Sequence, residues 1–395
     1  MSDKKPVVVY GASGYTGRLV CEYLRELQLP FIAAGRDRER VQAVMDKIPG
    51  IETAEYEVAQ VDHNVEALTK LFRGAQVVSN MVGPFSSYGP EVAEACLAAG
   101  CHYTDTTGEQ DWVLDAKARF GAKFAEKGLL LSPGVAQMYT TGEIAANICL
   151  ETPGLDTLDI LVLWKGFPTY ASTQTIFAIL QAKWYYLEQN KYVEWAQNTR
   201  FEVNVPGQHA HALVTPWTGT SHPVWFKDDP RVANCKAVGG VFAREVMEGV
   251  VATQKMFEEQ IKPLPPDQQQ ATLANIAASV QGGMPPRENP RINVSLDSVH
   301  ASGPLAPRPL RDPRRQQLQA DRSPAGPRRL LLVATAAQED RFLFGVPGLR
   351  ASRPSRGAQK LRACGGARRR HPQMSPIELG RRLVAAPSAR SAPCV

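Results

Sequence analysis

Three glycines near the amino terminus have a spacing suited to holding phosphate groups. Residues 7–17 read VVVYGASGYTG, so Gly11, Gly14 and Gly17 directly follow an apolar run, with Ser13 and Thr16 between them as hydroxyl donors. Glycine permits a sharp turn and a close backbone approach, and the amides at the start of a helix attract anions. This G-x-x-G-x-x-G pattern, between a strand and a helix, predicts a site for the pyrophosphate of a dinucleotide, although its spacing differs from the basic G-x-G-x-x-G fingerprint.

A charged segment after the second apolar run bears on which dinucleotide is bound. Residues 33–40 read AAGRDRER, so Arg36 directly follows Gly35. An acidic residue at this point receives the ribose hydroxyls of NAD, whereas a guanidinium suits the 2′-phosphate of NADP. Arg36 therefore favours NADP. Asp37 leaves NAD open, and it is equally suited to capping the following helix.

Two later segments fall where a third and a fourth strand are expected to end. In VDHN, Asp62 can accept a hydrogen bond from the adenine amine, and in SNMVGPFSSYGP, Asn80 and Gly83 can line the nicotinamide side. For Gly83 and the proline after it, a simple loop is an equally good interpretation.

Proton donors for redox chemistry are available in GCHYTDTTGEQD, residues 100–111. Hydride transfer needs little from a protein beyond geometry and one proton donor, and Tyr103 and Asp105 are the candidate catalytic residues. The alternative is that Asp105 caps the next helix and that Glu109 completes its first turn. We predict no metal site, because no carboxylate or cysteine completes a ligand set with the histidines at 209, 211 and 222.

The order of apolar segments predicts the elements that position these residues. Over residues 1–150, apolar runs alternate with helical patterns, which predicts an α/β Rossmann domain with a doubly wound parallel sheet. Strands are predicted at Val7–Tyr10, Phe31–Gly35, Tyr56–Val61, Gln76–Val82, Tyr103 and Gly128–Ser132, and helices at Thr16–Leu27, around Val41 and Met45, and at Pro90–Ala99.

Residues 151–305 predict a second, α+β domain that holds a substrate or forms a dimer. Strands are predicted at Thr157–Lys165, Phe201–Val205, His211–Thr215, Cys235–Val241 and Ile292–Leu296, and one long helix at Thr173–Trp195. The aromatic residues of that helix are typical of a core or of a homodimer face, and a pocket for a lipid-like substrate is the alternative.

Composition changes at about residue 306. Residues 301–395 hold 19 Lys+Arg and 5 Asp+Glu, a net charge of +14, whereas residues 1–300 carry 26 basic and 34 acidic residues, a net charge of −8. The acidic body excludes nucleic-acid binding as the main role. The Arg- and Pro-rich tail at 306–395 predicts disorder, and such an abrupt change is also typical of a gene read out of frame.

Cysteine spacing and hydropathy predict the compartment. The seven cysteines form no C-x-x-C pair, and the chain starts with the charged segment MSDKKP. No apolar run has the length of a membrane span, and no apolar signal segment is visible. We therefore expect a reduced, cytoplasmic protein without stable membrane insertion.

Four motifs in order carry a resemblance to a known family. YGASGYTG, AAGR, NMVGPFSSYG and GCHYTDTTGE together resemble the saccharopine dehydrogenase-like oxidoreductases, which include saccharopine reductases and trans-acting enoyl reductases. The resemblance is strong over residues 1–135, weak to about 305 and absent in the tail. It implies an NAD(P)-binding Rossmann domain, a second domain with a mixed sheet, and a chain that returns to the first domain at its end.

Carried over by position, the resemblance implies a contact for each part of the cofactor. The pyrophosphate is expected at Gly11, Ser13, Gly14, Tyr15, Thr16 and Gly17. The adenosine ribose or its phosphate is expected at Arg36, adenine at Asp62, and the nicotinamide ribose at Asn80, Val82 and Gly83.

The expected function is that of an NAD(P)-dependent oxidoreductase. NADP is favoured over NAD, and the hydride acceptor is a small or lipid-like carbonyl, imine or enoyl substrate. Many relatives read close to GFDSxPxD where residues 132–143 read SPGVAQMYTTGE, so the substrate class stays open. The alternative is a non-catalytic NADP-binding sensor of the NmrA-like kind, which keeps the glycine loop without a usable proton donor.

Overall fold

A computed structural model of the chain describes residues 5–165, 170–216, 221–279 and 295–303. The Arg- and Pro-rich segment predicted at 306–395 lies outside these residues. Within them, two large sheets and one small one carry the fold.

The first sheet has six strands in the order β3-β2-β1-β4-β5-β6, and every pair is parallel. Its strands are β1 Val7–Tyr10, β2 Phe31–Gly35, β3 Tyr56–Gln60, β4 Val77–Asn80, β5 His102–Asp105 and β6 Leu131–Ser132. The helices are α1 Tyr15–Glu26, α2 Arg38–Met45, α3 Val65–Phe72, α4 Phe85–Ala99, α5 Gln110–Glu126 and α6 Gln137–Leu150. This strand order is that of a dinucleotide-binding Rossmann sheet, as predicted.

Strand β1 shows why the sheet is covered on both sides. Successive side chains of a strand point to opposite faces, and all four residues of β1 are buried. Val7 and Val9 pack in a core with α1 and α2 residues, whereas Val8 and Tyr10 pack in a second core with residues of α3, α4 and α5. The continuous apolar run predicts this double burial.

One helix of the first half starts earlier than predicted. The sequence predicts a start at Pro90, because proline suits the first turn of a helix, but α4 begins at Phe85 and contains Pro90. The Glu109 side chain accepts hydrogen bonds from the backbone N–H groups of Phe85 (2.7 Å) and Ser86 (2.8 Å). A carboxylate 24 residues away in sequence therefore satisfies amides that a local sequence pattern leaves open.

The second sheet has five strands in the order β13-β7-β12-β8-β9 and mixes parallel with antiparallel pairs. Its strands are β7 Thr157–Trp164, β8 Tyr185–Glu188, β9 Lys191–Glu194, β12 Asn234–Val241 and β13 Ser295–Ser302. A separate hairpin consists of β10 Phe201–Asn204 and β11 His211–Val214. The helices are α7 Tyr170–Ala178, α8 His222–Phe226, α9 Arg244–Met256 and α10 Pro266–Ser279, with a π-helical segment at Phe257–Ile261.

The long helix predicted at Thr173–Trp195 is wrong. Helix α7 ends at Ala178, and β8 and β9 form an antiparallel hairpin. Gln189 and Asn190 have φ angles of 48° and 54°, as in the tight hairpin turn that favours residues tolerant of positive φ. The aromatic residues of this stretch satisfy both a helical and an alternating pattern, so the interpretation as a dimer-forming or lipid-lining helix loses its basis.

The strand predicted at Ile292–Leu296 is also placed differently. Residues 292–294 lie outside the described part of the chain, and β13 runs on to Ser302, paired along its whole length with β7. Polar residues at 297, 298 and 300 interrupt the apolar pattern from which the strand was predicted.

Candidate functional site

The glycine loop joins β1 to α1 at the carboxyl edge of the first sheet. Gly11 has a φ of +90°, a conformation that glycine adopts without strain. Its N–H and that of Ala12 both donate to the Ala34 carbonyl at the end of β2 (2.9 and 3.1 Å), and the Gly14 N–H donates to the Gly11 carbonyl (3.0 Å). The loop is therefore fixed by backbone bonds before any ligand binds.

The three glycines differ in what a side chain would meet. A Cβ on Gly17 would lie 2.3 Å from the Gly11 carbonyl oxygen, and a Cβ on Gly11 would lie 2.8 Å from Val82 Cγ2. A Cβ on Gly14 would meet only the Gly11 oxygen, at 3.3 Å, among the described atoms within 4 Å. Gly11 and Gly17 are thus required for packing, whereas the outer side of Gly14 is open to an approaching group.

The start of α1 fits a diphosphate. Gly14 occupies the N-cap position, no side chain caps the helix, and no acidic residue lies in its first turn. The first amides of an α-helix have no partner within the helix, and their partial positive charge favours an anion. The half-buried residues Ser13, Tyr15 and Thr16 surround this helix end, so the predicted pyrophosphate residues form one cradle.

The arginines after β2 have different surroundings. Arg38 donates to the Val58 carbonyl of β3, whereas Arg36 is exposed and makes no hydrogen bond or ion pair with another described residue. Asp37 is the N-cap of α2 and accepts from the Arg40 N–H at 2.9 Å, as its alternative interpretation predicts. A carboxylate engaged in this cap is less available to a ligand than the exposed guanidinium of Arg36.

An aromatic cluster lies where the adenine is expected. Tyr10 at the end of β1 shares a hydrogen bond with His63 (Oη to Nδ1, 2.9 Å), and the two rings are stacked. Burial raises the pKa of Tyr10 to about 12, while Arg36 lowers it and Asp62 raises it. Arg36 and the exposed Asp62 are therefore both close enough to Tyr10 to change the pKa of its hydroxyl group. The sequence did not predict the contact of Tyr10 with His63, which directly follows Asp62 in the VDHN segment.

The residues predicted near the nicotinamide ribose form a tight turn after β4. Asn80 is fully buried; it donates to the Tyr103 hydroxyl (3.2 Å) and accepts from the Val82 N–H (3.1 Å). Val82 contacts the position of Gly11, and Gly83 is exposed. Asn80 therefore holds the turn that brings Val82 and Gly83 beside the glycine loop.

The two predicted catalytic residues are bonded to each other. Tyr103 donates to Asp105 Oδ2 (2.6 Å), which also accepts from the indole N–H of Trp112 (2.8 Å). Asp105 Oδ1 accepts from the backbone N–H groups of Thr107 (2.9 Å) and Gly134 (2.8 Å). Burial raises the pKa of Asp105, which these bonds oppose, and burial raises the pKa of Tyr103 well above its ordinary value. In this conformation Asp105 fixes the loops after β5 and β6.

Asp105 does not cap α5, and Glu109 lies before the first turn of that helix, which it was predicted to complete. It occupies the N-cap position of that helix, but its own side chain makes no cap there, and it bonds to the start of α4 as described above. Burial raises its pKa, and the bonds from Ser86 and Phe85 oppose that rise. The start of α4 therefore carries a protein carboxylate, whereas the start of α1 carries none.

Two further properties of the described residues concern metal ligands and membrane spans. No group of three or more His, Cys, Asp or Glu side chains is arranged to hold a metal ion. None of the described helices has the length and apolar character needed to cross a membrane.

Two segments of the chain match different protein families. Residues 7–128 match the model "Saccharopine dehydrogenase NADP binding domain", and residues 140–309 match a "Family of unknown function (DUF5938)". The human "Saccharopine dehydrogenase-like oxidoreductase" is 34% identical over 146 residues, which are 33% of this chain and 34% of that protein. A "Lipid droplet localized protein" of Caenorhabditis elegans is 34% identical over 131 residues, 31% of each chain.

The matches thus span about a third of the length of these curated relatives. Among solved structures, a bulky-bulky ketone specific alcohol dehydrogenase from Comamonas testosteroni is 12% identical, with a TM-score of 0.27 over 33% of this chain and 74% of that one. The glycine loop, the strand order and the matched domain model agree over the same residues. Over residues 7–128, the chain is therefore similar to the NADP-binding domain of the saccharopine dehydrogenases and to the saccharopine dehydrogenase-like oxidoreductases.

Proposed function

We propose that the chain is an NADP-dependent oxidoreductase that transfers hydride between the nicotinamide and a small or lipid-like substrate. The observation that carries the proposal is the start of α1, where two glycines are needed for packing, a third leaves its outer side open, and no side chain caps the helix. The pyrophosphate lies at Gly11 and Ser13–Gly17, and the nicotinamide ribose lies at Asn80, Val82 and Gly83.

Arg36 supports NADP over NAD. Its guanidinium is exposed at the end of β2 and free to pair with a 2′-phosphate, for which a planar bidentate donor is well suited. The neighbouring Asp37 is engaged as the N-cap of α2, so it competes less well for the ribose hydroxyls of NAD. Asp62 lies on the same side of the site, toward the adenine.

Tyr103 and Asp105 remain candidates for proton relay. Both are fully buried, so in this role they act through a rearrangement of the Thr107 loop, or through Asn80. Tyr103→Phe separates the roles, because it removes one hydroxyl and little volume. A relay predicts a lower turnover with unchanged NADPH affinity and a changed pH profile; a purely structural role predicts a lower free energy of unfolding with an unchanged pH profile.

The reaction and its place in the cell also belong to this proposal. The named oxidoreductase relatives support hydride transfer and do not favour the sensor alternative. The relative named for lipid droplets supports a lipid-like substrate. We propose a carbonyl, imine or enoyl group as the acceptor and the cytoplasm as the compartment; a homodimer has no observation in its favour.

Calorimetric titration of the full chain with NADPH and NADH tests the proposal. We expect NADPH to bind more tightly, and Arg36→Ala to weaken NADPH about tenfold, the effect of one exposed charge-assisted contact, with NADH unchanged. Arg40→Ala is the matched control, since it removes an exposed arginine of the same segment and keeps the backbone N–H that Asp37 accepts. Equal losses in both variants, or equal affinities for the two cofactors, would contradict the assignment of Arg36.

A further inference from the structure

Three polar side chains share one face of the second sheet. In the register of β13 and β7, Ser295 pairs with Trp164 and Asp297 pairs with Val162. Paired residues lie on the same face of a sheet, and so do residues two apart on one strand. Ser295, Asp297 and Trp164 therefore form a group at one end of these strands, together with Gln137, whose amide donates to Asp297 Oδ2 at 3.0 Å. We name these four residues the Asp297 patch.

The Asp297 patch holds hydrogen-bonding atoms without partners. Ser295 and Asp297 are 1% exposed and Trp164 is 8% exposed. Ser295 Oγ, Asp297 Oδ1 and Trp164 Nε1 are buried and make no hydrogen bond with any residue that the structure describes. A buried polar group without a hydrogen-bond partner destabilises the folded state, and native proteins leave few of them. Two N–H or O–H donors and one carboxyl oxygen, which donates when protonated and accepts when ionised, are unmet in one place, and this indicates that a polar molecule completes the patch.

The patch is connected to the carboxyl edge of the first sheet. Gln137 is the first residue of α6, three residues after Gly134. Gly134 and Val135 are held to Asp105 at the end of β5, through its side chain (2.8 Å) and its carbonyl (2.7 Å). Ligands of doubly wound sheets bind outside the carboxyl ends of the strands. The short segment from Gly134 to Gln137 thus links the Asp297 patch to the end of β5, on the sheet edge where the nicotinamide is proposed to bind.

We propose that the Asp297 patch binds the reacting oxygen of an uncharged carbonyl substrate and that Asp297 supplies the proton this oxygen gains on reduction. The inference rests on the proposed function. The carbonyl carbon accepts hydride with its electron pair, the carbon–oxygen π bond breaks, and the oxygen takes the Asp297 proton to give an alcohol. The carboxylate left behind keeps the Gln137 bond and regains a proton from water.

The protonation state suits this role. Burial raises the pKa of Asp297 to about 7, opposed only by the Gln137 hydrogen bond. Its neighbours on two elements are uncharged: Gln137 and Met138 on α6, and Val162 and Trp164 on β7. Near pH 7 the group therefore exists in both forms, as a proton donor requires. A substrate carboxylate here would meet a like charge without a basic partner in the patch, which favours a neutral substrate.

The indole N–H of Trp164 provides a readout that needs no cofactor. In nitrogen-15 spectra of the full chain, this signal is assigned by its loss in Trp164→Phe. The probes are cyclohexanone and cyclohexanecarboxylate. We expect cyclohexanone to shift the Trp164 signal and to bind at least fivefold more weakly to Ser295→Ala and Asp297→Asn. We expect cyclohexanecarboxylate to leave the position of this signal unchanged at pH 8.

A pH titration of the same signal supplies the second test. Without ligand it should move with a midpoint near pH 7 in the wild type and in Asp159→Asn, and stay fixed in Asp297→Asn. Asp159 is the matched control, because it lies on the other face of β7 and pairs with the partly buried His300. An unmoved signal with the ketone, an equal response to the carboxylate, or an unaltered titration in Asp297→Asn would overturn the proposal and leave a patch filled by water only.

Calorimetry with NADPH on the same variants separates the two proposals. Asp297→Asn and Ser295→Ala should bind NADPH as the wild type does. If the wild type does not bind NADPH, the proposed function is overturned. If it binds NADPH but the Trp164 signal does not respond to the ketone, only the assignment of the Asp297 patch is overturned.

Discussion

Replacing Gly14 with alanine should separate folding from dinucleotide binding. Its backbone is extended, with φ −78° and ψ 168°, so any residue adopts it without strain. The added methyl would meet only the Gly11 carbonyl oxygen, at 3.3 Å, among the described atoms within 4 Å. The methyl would instead project to the open side, where the proposed pyrophosphate approaches the amides.

The two effects differ in size. Alanine is a poorer N-cap than glycine, so we expect a loss of about 1 kcal/mol in the free energy of unfolding. Hydrogen bonds to a charged group contribute about 1.5–3 kcal/mol each, and displacing one amide contact should weaken NADPH binding roughly 10- to 100-fold. Gly17→Ala should behave differently: its methyl would lie 2.3 Å from backbone, so folding itself should lose about 1–3 kcal/mol.

The assay combines urea denaturation with calorimetric titration of NADPH. Gly249→Ala is the control, because this glycine lies in α9 with no described atom within 4 Å of the added methyl. It should gain about 0.5–1 kcal/mol in stability and bind NADPH normally. If Gly14→Ala binds NADPH as tightly as the wild type, the pyrophosphate does not lie on this helix end and the reasoning is wrong.

Three further outcomes are expected. Gly89→Ala should cost about 1–3 kcal/mol in urea denaturation, because its methyl would lie 2.5 Å from the buried Trp112 ring; an unchanged midpoint would refute this packing. Asn190→Gly should raise the stability by a few tenths of a kcal/mol, since it relieves a φ of 54°, and a decrease would argue against the turn. Burial raises the folded pKa of Asp297 to about 7, above its ordinary 3.8, so the free energy of unfolding should fall by about 2–3 kcal/mol as pH rises from 5 to 8; urea denaturation at these two pH values should show that fall reduced in Asp297→Asn.

The first sheet could be predicted from the sequence because its signals are local. Val7–Tyr10 and Phe31–Gly35 are confirmed at both ends, since each is a short apolar run that ends at a glycine or directly before one. The glycine loop follows from spacing alone. The roles of its residues toward NADP stay predictions, which the experiments above address.

Long-range contacts account for what the sequence did not reveal. Glu109 extends α4 to Phe85 across 24 positions, and Gln137 meets Asp297 across 160. Neither contact can be inferred from a short stretch of the sequence. The hairpin of β8 and β9 was not predicted, because the spacing of its tyrosines and tryptophans fits both a helix and a strand. Only the positive φ angles at residues 189–190 distinguish a hairpin from a continuous helix.

A crystal structure of the full chain with NADPH tests the central claim most directly. We predict that the pyrophosphate oxygens accept hydrogen bonds from backbone N–H groups within residues 13–17, and that the 2′-phosphate lies within hydrogen-bond distance of the Arg36 guanidinium. Density for NADPH elsewhere on the molecule, or no density at saturating NADPH in well-folded crystals, would contradict the account.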